Sequence, residues 1–271
     1  MGRPRAPTIF RVLFGHFRDV GLLAADQERR ARSPRKRADL AALATVDAKA
    51  RIEALIAELE EVDERQWGQP GGVSLGSSPI VAALAKEGDA AVEPLLAVLE
   101  SDVRLTRSVH FWRDFARHRS PLGVHEAAYV ALSTILDVSA FTAVATGDDL
   151  SARGPEGRKA VVAALRAHAA KWKGVPIEER WFRILADDSA KPAQWIEAAN
   201  SATIPSNVTV VRTSMVFSST MTTSGPPTGL KGESLRKHAK PSLTELLTKR
   251  TREAPSPAER CALGHALVVW D

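Results

Sequence analysis

The 271-residue chain holds one cysteine, Cys261, so no disulfide can form within it. Its fold must rest on an apolar core, and a lone thiol suits a reducing compartment such as the cytoplasm. Tyrosine is equally scarce, with Tyr129 alone, and aromatics reach only 6% against 44% hydrophobic residues. The apolar content is therefore aliphatic and rich in alanine, a bias toward helix over strand. No apolar run is long enough to span a bilayer. The Gly-rich stretch GQPGGVSLGSS lacks the Gly-Lys-Ser/Thr of a phosphate-binding loop, which argues against nucleotide binding and leaves a turn before a helix.

The net charge of +5 is unevenly spread. Residues 1–37 carry ten Arg and Lys against three acids, a local charge of +7, and the rest of the chain sums to −2. A second basic stretch runs from Lys231 to Arg252, leaving the region between mildly acidic. A nucleic-acid grip spread over that region would make it basic.

Four segments follow from composition. Residues 1–37 form a basic segment in which Ile9, Leu13, Phe17 and Val20 recur at helical spacing. The stretch QERRARSPRKR then reads as a loose linker. A targeting peptide, a basic surface-binding arm and a helix docked on its neighbour all remain open for this segment. Residues 38–200 form a helical body, and residues 201–233 a loop or hairpin insertion. Residues 234–271 supply a final helical pair, open to truncation of a longer array. In the insertion, Thr209, Val211, Thr213, Met215 and Phe217 alternate with their neighbours, which suits a short strand or hairpin.

In the body, Ile52, Leu55, Ile56, Leu59 and Val62 form one stripe, and Val92, Leu95, Leu96 and Leu99 another. Ser78 is placed to cap a helix with Pro79 at its first position, and Asp89 to cap the next, with Pro94 in its first turn. Two capping boxes, Ser242 with Glu245 and Ser256 with Glu259, mark the last two helices. In the final one, Leu263, Ala266, Leu267 and Trp270 share a face, which Val268 and Val269 widen beyond what one neighbour covers. The expectation is a partly exposed last helix, covered by another subunit.

The stretch IVAALAKEGDAAVEPLLAVLESD, a helix, a Gly-Asp turn and a second helix, resembles the helical hairpin of HEAT repeats. The resemblance is best over residues 79–100 and looser over 120–136 and 241–270. It implies an all-α fold, an irregular HEAT-like α-solenoid of helical hairpins, carrying the Ser/Thr-rich insertion. It also implies a concave surface that binds proteins.

For chemistry, RLTRSVHFWRDFARHRS stands out. Wound as a helix, it gathers Arg107, His110, Arg113, Asp114, Arg117 and His118 on one side. Arginine recognises carboxylate and phosphate bidentately, so this stripe is the candidate for binding an acidic partner. The same arginines oppose a metal dication, and a plain solvated face is the rival reading. Cys261 precedes His265 by four residues, but nothing activates the thiol, so it reads as a half-buried packing residue. No catalytic residue, metal site or cofactor is expected. The leading function is a non-enzymatic scaffold for a protein partner. Nucleic-acid binding through the basic termini, as in HEAT-like DNA-repair glycosylases, is the alternative. A third is an accessory subunit like the HEAT-like phycobilin lyases. Self-association through the last helix is also open.

Overall fold

The computed structural model describes residues 8–34, 37–66, 72–111, 119–138, 154–212, 219–223, 229–236 and 240–271. Most of them are helical. In chain order the elements begin with α1 (Thr8–Arg32), α2 (Leu40–Leu43), α3 (Ala48–Glu58), α4 (Pro79–Lys86) and α5 (Asp89–Ser101). A strand pair follows, β1 (Leu105–Phe111) and β2 (Arg119–Gly123), then α6 (Val124–Leu136) and α7 (Gly154–Trp172). The chain continues with α8 (Ile177–Ala186), α9 (Pro192–Thr203), β3 (Val208–Arg212) and β4 (Ser219–Thr223). It ends with α10 (Leu243–Glu253) and α11 (Pro257–Trp270). No helix among the described residues is long and apolar enough to cross a membrane.

Two compact units divide the chain: Met1–Ala170 with Val211–Thr220, and Lys171–Val210 with Met221–Asp271. In the first, α5 packs on α6 and α3, and α4 packs on α6. Leu55, Leu84, Leu95, Leu96, Leu99 and Leu132 are sealed at their centre. The apolar stripes of α3 and α5 explain this, since a helix with one greasy side must bury it against another. In the second unit, α8 pairs with α9 and α10 with α11, and α9 lies on α11. Trp181, Leu185, Trp195, Leu246, Leu247, Leu263 and Trp270 close that core. Thus α8 and α9, which the sequence groups with the helical body, share their core with the final helical pair.

Local signals start these helices. Asp47 accepts from the Ala50 amide at 3.1 Å and starts α3. Both expected capping boxes are formed: Ser242 and Glu245 open α10, and Ser256 and Glu259 open α11. Gly88 turns α4 into α5 with φ of 58°, a backbone region closed to most side chains.

Several expectations are corrected. Asp89 is the first residue of α5 rather than its cap, which places Pro94 inside the helix, beyond the first turn. The linker QERRARSPRKR is not loose through Arg32, because α1 runs on through it. Arg29 and Arg30 fall three and four residues after Asp26, pair with it at 2.9 and 2.6 Å, and hold that turn together. The helix expected over Arg107 and His110 is a strand. β1 pairs antiparallel with β2, with His110 opposite Ser120 and Val109 opposite Pro121, and a register shift lies between Leu105 and Val109. In the insertion, β3 and β4 form a two-stranded sheet, and residues 213–218 lie outside the described residues.

Candidate functional site

Strand β1 buries polar side chains: Thr106, Ser108 and His110 are buried along with Leu105, while Arg107 points to solvent. Polar residues are tolerated inside because they find partners there. The Thr106 hydroxyl donates to the Leu122 carbonyl at 2.8 Å and accepts from the Ser108 amide at 3.1 Å. The Ser108 hydroxyl donates to the Val62 carbonyl at 3.3 Å and accepts from the Glu64 amide at 2.8 Å. The Arg107 amide donates to the same Val62 carbonyl at 2.9 Å. So β1 is held between β2 and the extended segment Val62–Glu64, and small hydroxyl side chains do part of the work of a third strand.

The start of α6 adds to this polar interior. Glu126 is fully buried, and its carboxylate accepts from the Gly123 amide at 2.6 Å, which satisfies a helix-end donor. The His125 ring covers Gly123 so closely that a Cβ there would meet Cε1 at 2.2 Å.

Above the strand sits a cluster of opposite charges where α3 ends. Glu61 accepts two bonds from the Arg107 guanidinium, at 2.6 and 2.9 Å. Arg30 reaches Glu61 at 3.0 Å and the carbonyls of Glu60 and Leu105 at 3.1 and 2.9 Å. Arg29 pairs with Glu60 at 2.5 Å, and Arg37 donates to the Glu61 carbonyl at 2.9 Å. The Arg107 hydrogen bonds hold the Glu61 carboxyl below its ordinary range against a smaller effect of burial. For Asp26, burial is the largest influence and acts upward, but bonds from Arg30 and Arg29 together outweigh it and the pKa is lowered. Glu64, nearby in sequence, is raised, first by burial and then by the charge of Asp63.

Two of the six residues expected to form the acidic-partner stripe can be located. Arg107 and His110 lie on β1, on opposite sides, one exposed and bound to Glu61, the other buried. The shared helical face is thereby corrected for this pair, because a strand alternates its side chains where a helix groups them. Arg113, Asp114, Arg117 and His118 lie outside the described residues. Among the described residues no group of three or more His, Cys, Asp or Glu is placed to hold a metal ion. Cys261 is exposed, not half-buried.

The sequence reading missed the partners of the basic segment, Glu60 and Glu61, about thirty residues away. It also missed Arg250 in the second unit, whose side chain is only 1% exposed. Trp270 is buried, with the Arg236 guanidinium 4.3 Å above its ring, whereas Val268 and Val269 are exposed. No protein-family model, no curated protein and no solved structure matches the chain.

Proposed function

We propose that the chain is a scaffold of HEAT-like helical hairpins that holds a protein partner. The observation that carries this reading is α11. One side is locked into the second unit through Leu263, Ala266 and Trp270. The other presents Val268, 78% exposed, next to Val269, 41% exposed. An apolar pair on a capped, well-anchored helix is a preorganised contact, and preorganisation lowers the entropic cost of binding. Two hairpin units support the HEAT-like architecture: α8 with α9 and α10 with α11 are joined by short turns, pack pairwise and stack through α9 on α11, whereas α4 and α5 each pack on α6.

Nucleic acid is the second reading, and the charge cluster weighs against it. Arg29, Arg30, Arg37 and Arg107 are each paired with a carboxylate of the same chain. Phosphate would have to displace Glu60 and Glu61 to reach them.

Site-specific photocrosslinking from position 268 in cells tests the proposal. The expected result is one crosslinked protein species that disappears in a Val269→Lys variant of unchanged fold. No crosslinked protein from a folded chain would overturn it. So would binding of the full chain to arbitrary duplex DNA that weakens steeply with salt, which would move the reading to nucleic acid.

A further inference from the structure

Helix α11 has a closed side and an open one. With about 100° between successive residues, Leu263, Ala266 and Trp270 fall together on the side buried in the second unit. Opposite them, a sector of about 120° holds Ala258, Cys261, Ala262, His265, Val268 and Val269. All are exposed except Ala262, which is half-buried. Every residue of the sector is described, and none is Asp, Glu, Lys or Arg.

The open side changes along the helix. The small Ala258, Cys261 and Ala262 stand toward its start, His265 near its middle, and the larger Val268 and Val269 toward its end. One edge of the sector is graded in charge as well. The exposed Arg260 flanks the small end, and the exposed Asp271 follows the large end on the same edge. Arg260 bonds the Ala254 and Pro255 carbonyls through one nitrogen, Nη1, at 2.8 and 3.2 Å. Asp271 accepts from the Thr244 hydroxyl through one oxygen, Oδ1, at 2.9 Å. Each therefore keeps capacity for a further partner.

We infer that α11 pairs antiparallel with α11 of a second copy of this chain. This rests on the reading of α11 as a protein-binding surface and names its partner. A two-fold axis near His265 brings the partner's Val268 and the partner's Val269 over Ala258, Cys261 and Ala262, and the partner's Asp271 beside Arg260. Each of these contacts then occurs twice. The small end accepts the large one, and opposite charges meet at the edge. The opposite ends of the two helix dipoles also lie side by side. A parallel pair would set large on large, small on small and like charge beside like charge. The contact is a single helix pair, about 21 Å long at 1.5 Å per residue. That places it in the small, transient class of interface, under about 1,200 Å². The core side of α11 is closed within its own chain, so the chain folds as a monomer and pairs at high concentration.

The test is sedimentation equilibrium of the full chain from about 10 μM to about 1 mM, the range of a weak contact. A reversible monomer–dimer equilibrium is the expected result. At the axis His265 meets the partner's His265, so His265→Glu and His265→Lys each bring like charges together. Each is expected to weaken pairing about tenfold or more. An equal mixture of the two variants is expected to recover it, which misfolded variants could not do. Alkylation of Cys261 gives a second readout. Its rate is expected to fall as the parent is concentrated and to stay constant in either variant alone. Three results would overturn the inference: a monomer throughout the range, a dimer that both variants form as well as the parent, or a mixture that pairs no better than the variants apart. Crosslinking from position 268 separates this inference from the broader reading. A crosslink to a different protein overturns self-pairing and leaves the scaffold standing, whereas no crosslinked protein overturns both.

Discussion

The guanidinium of Arg250 lies over the ring of Trp195, its central carbon 4.3 Å from the ring centroid, within the core of the second unit. The arginine also donates to the Leu185 carbonyl at 2.7 Å, to Asp188 at 2.6 Å and to Glu253 at 2.5 Å. One side chain thus joins α8, α9 and α10. A planar group with five donors is suited to this, because it stacks and hydrogen-bonds at once.

The Arg250→Ala change is expected to cost about 2–4 kcal/mol, from a cavity beside Trp195 and an unpaired Leu185 carbonyl. Arg250→Met keeps most of the volume and is expected to cost less. Asp188 and Glu253 reach solvent, so neither variant strands a buried charge. Denaturant unfolding of both variants checks the order. Equal losses for Ala and Met would show that hydrogen bonding, not packing, dominates at this position.

Leu96 is fully buried on α5, at the centre of the first unit. Leu96→Asp is expected to destabilise by roughly 3 kcal/mol or more, since it places an unpaired carboxylate in the core. An unchanged melting temperature would rule out this packing.

The Glu61–Arg107 pair predicts an acid-sensitive first unit. Glu61 and Asp26 have folded pKa values below their ordinary 4.5 and 3.8. A depressed carboxyl contributes stability that is fully present above its ordinary value and lost as pH falls through the folded value. Stability should therefore hold from neutral pH down to about 4.5 and decline below it. In Arg107→Gln the pair is already broken, so the melting temperature should begin lower and fall less between neutral pH and about 3. Parallel pH profiles for the two proteins would show that the pair contributes nothing across this range.

The legible parts of the fold were those that repeat a local rule. The Ser256–Glu259 box and the stripe of Val92, Leu95, Leu96 and Leu99 announce helices because their partners lie within two turns. Strand β1 was hidden because, Leu105 apart, its buried residues, Thr106, Ser108 and His110, are polar. Alternation of this kind carries no hydrophobic period, and the arginines around it suggested a solvated helix. The clasp of Arg29 and Arg30 on Glu60 and Glu61 was hidden for another reason: ion pairs thirty residues apart leave no spacing to read. For the same reason the basic segment looked free to bind a partner when most of its described cations were already engaged.

Ser108 gives the sharpest test of the polar interior of β1. Its hydroxyl is the partner of the Glu64 amide at 2.8 Å and is almost fully buried. In Ser108→Ala, the Val62 carbonyl keeps its bond from the Arg107 amide, whereas the Glu64 amide loses its acceptor. A buried donor left without a partner costs about 1–3 kcal/mol, and the loss of one hydroxyl creates little cavity to add to it. Ser108→Thr keeps the hydroxyl and adds a methyl group, so it separates the hydrogen bond from the space around it. If the bond matters most, Thr should be the more stable of the two variants. The denaturation midpoint should shift for Ala at an unchanged slope, since the surface exposed on unfolding stays the same. An Ala variant as stable as the parent would mean that water reaches the Glu64 amide, and that Val62–Glu64 does not hold β1 through this side chain.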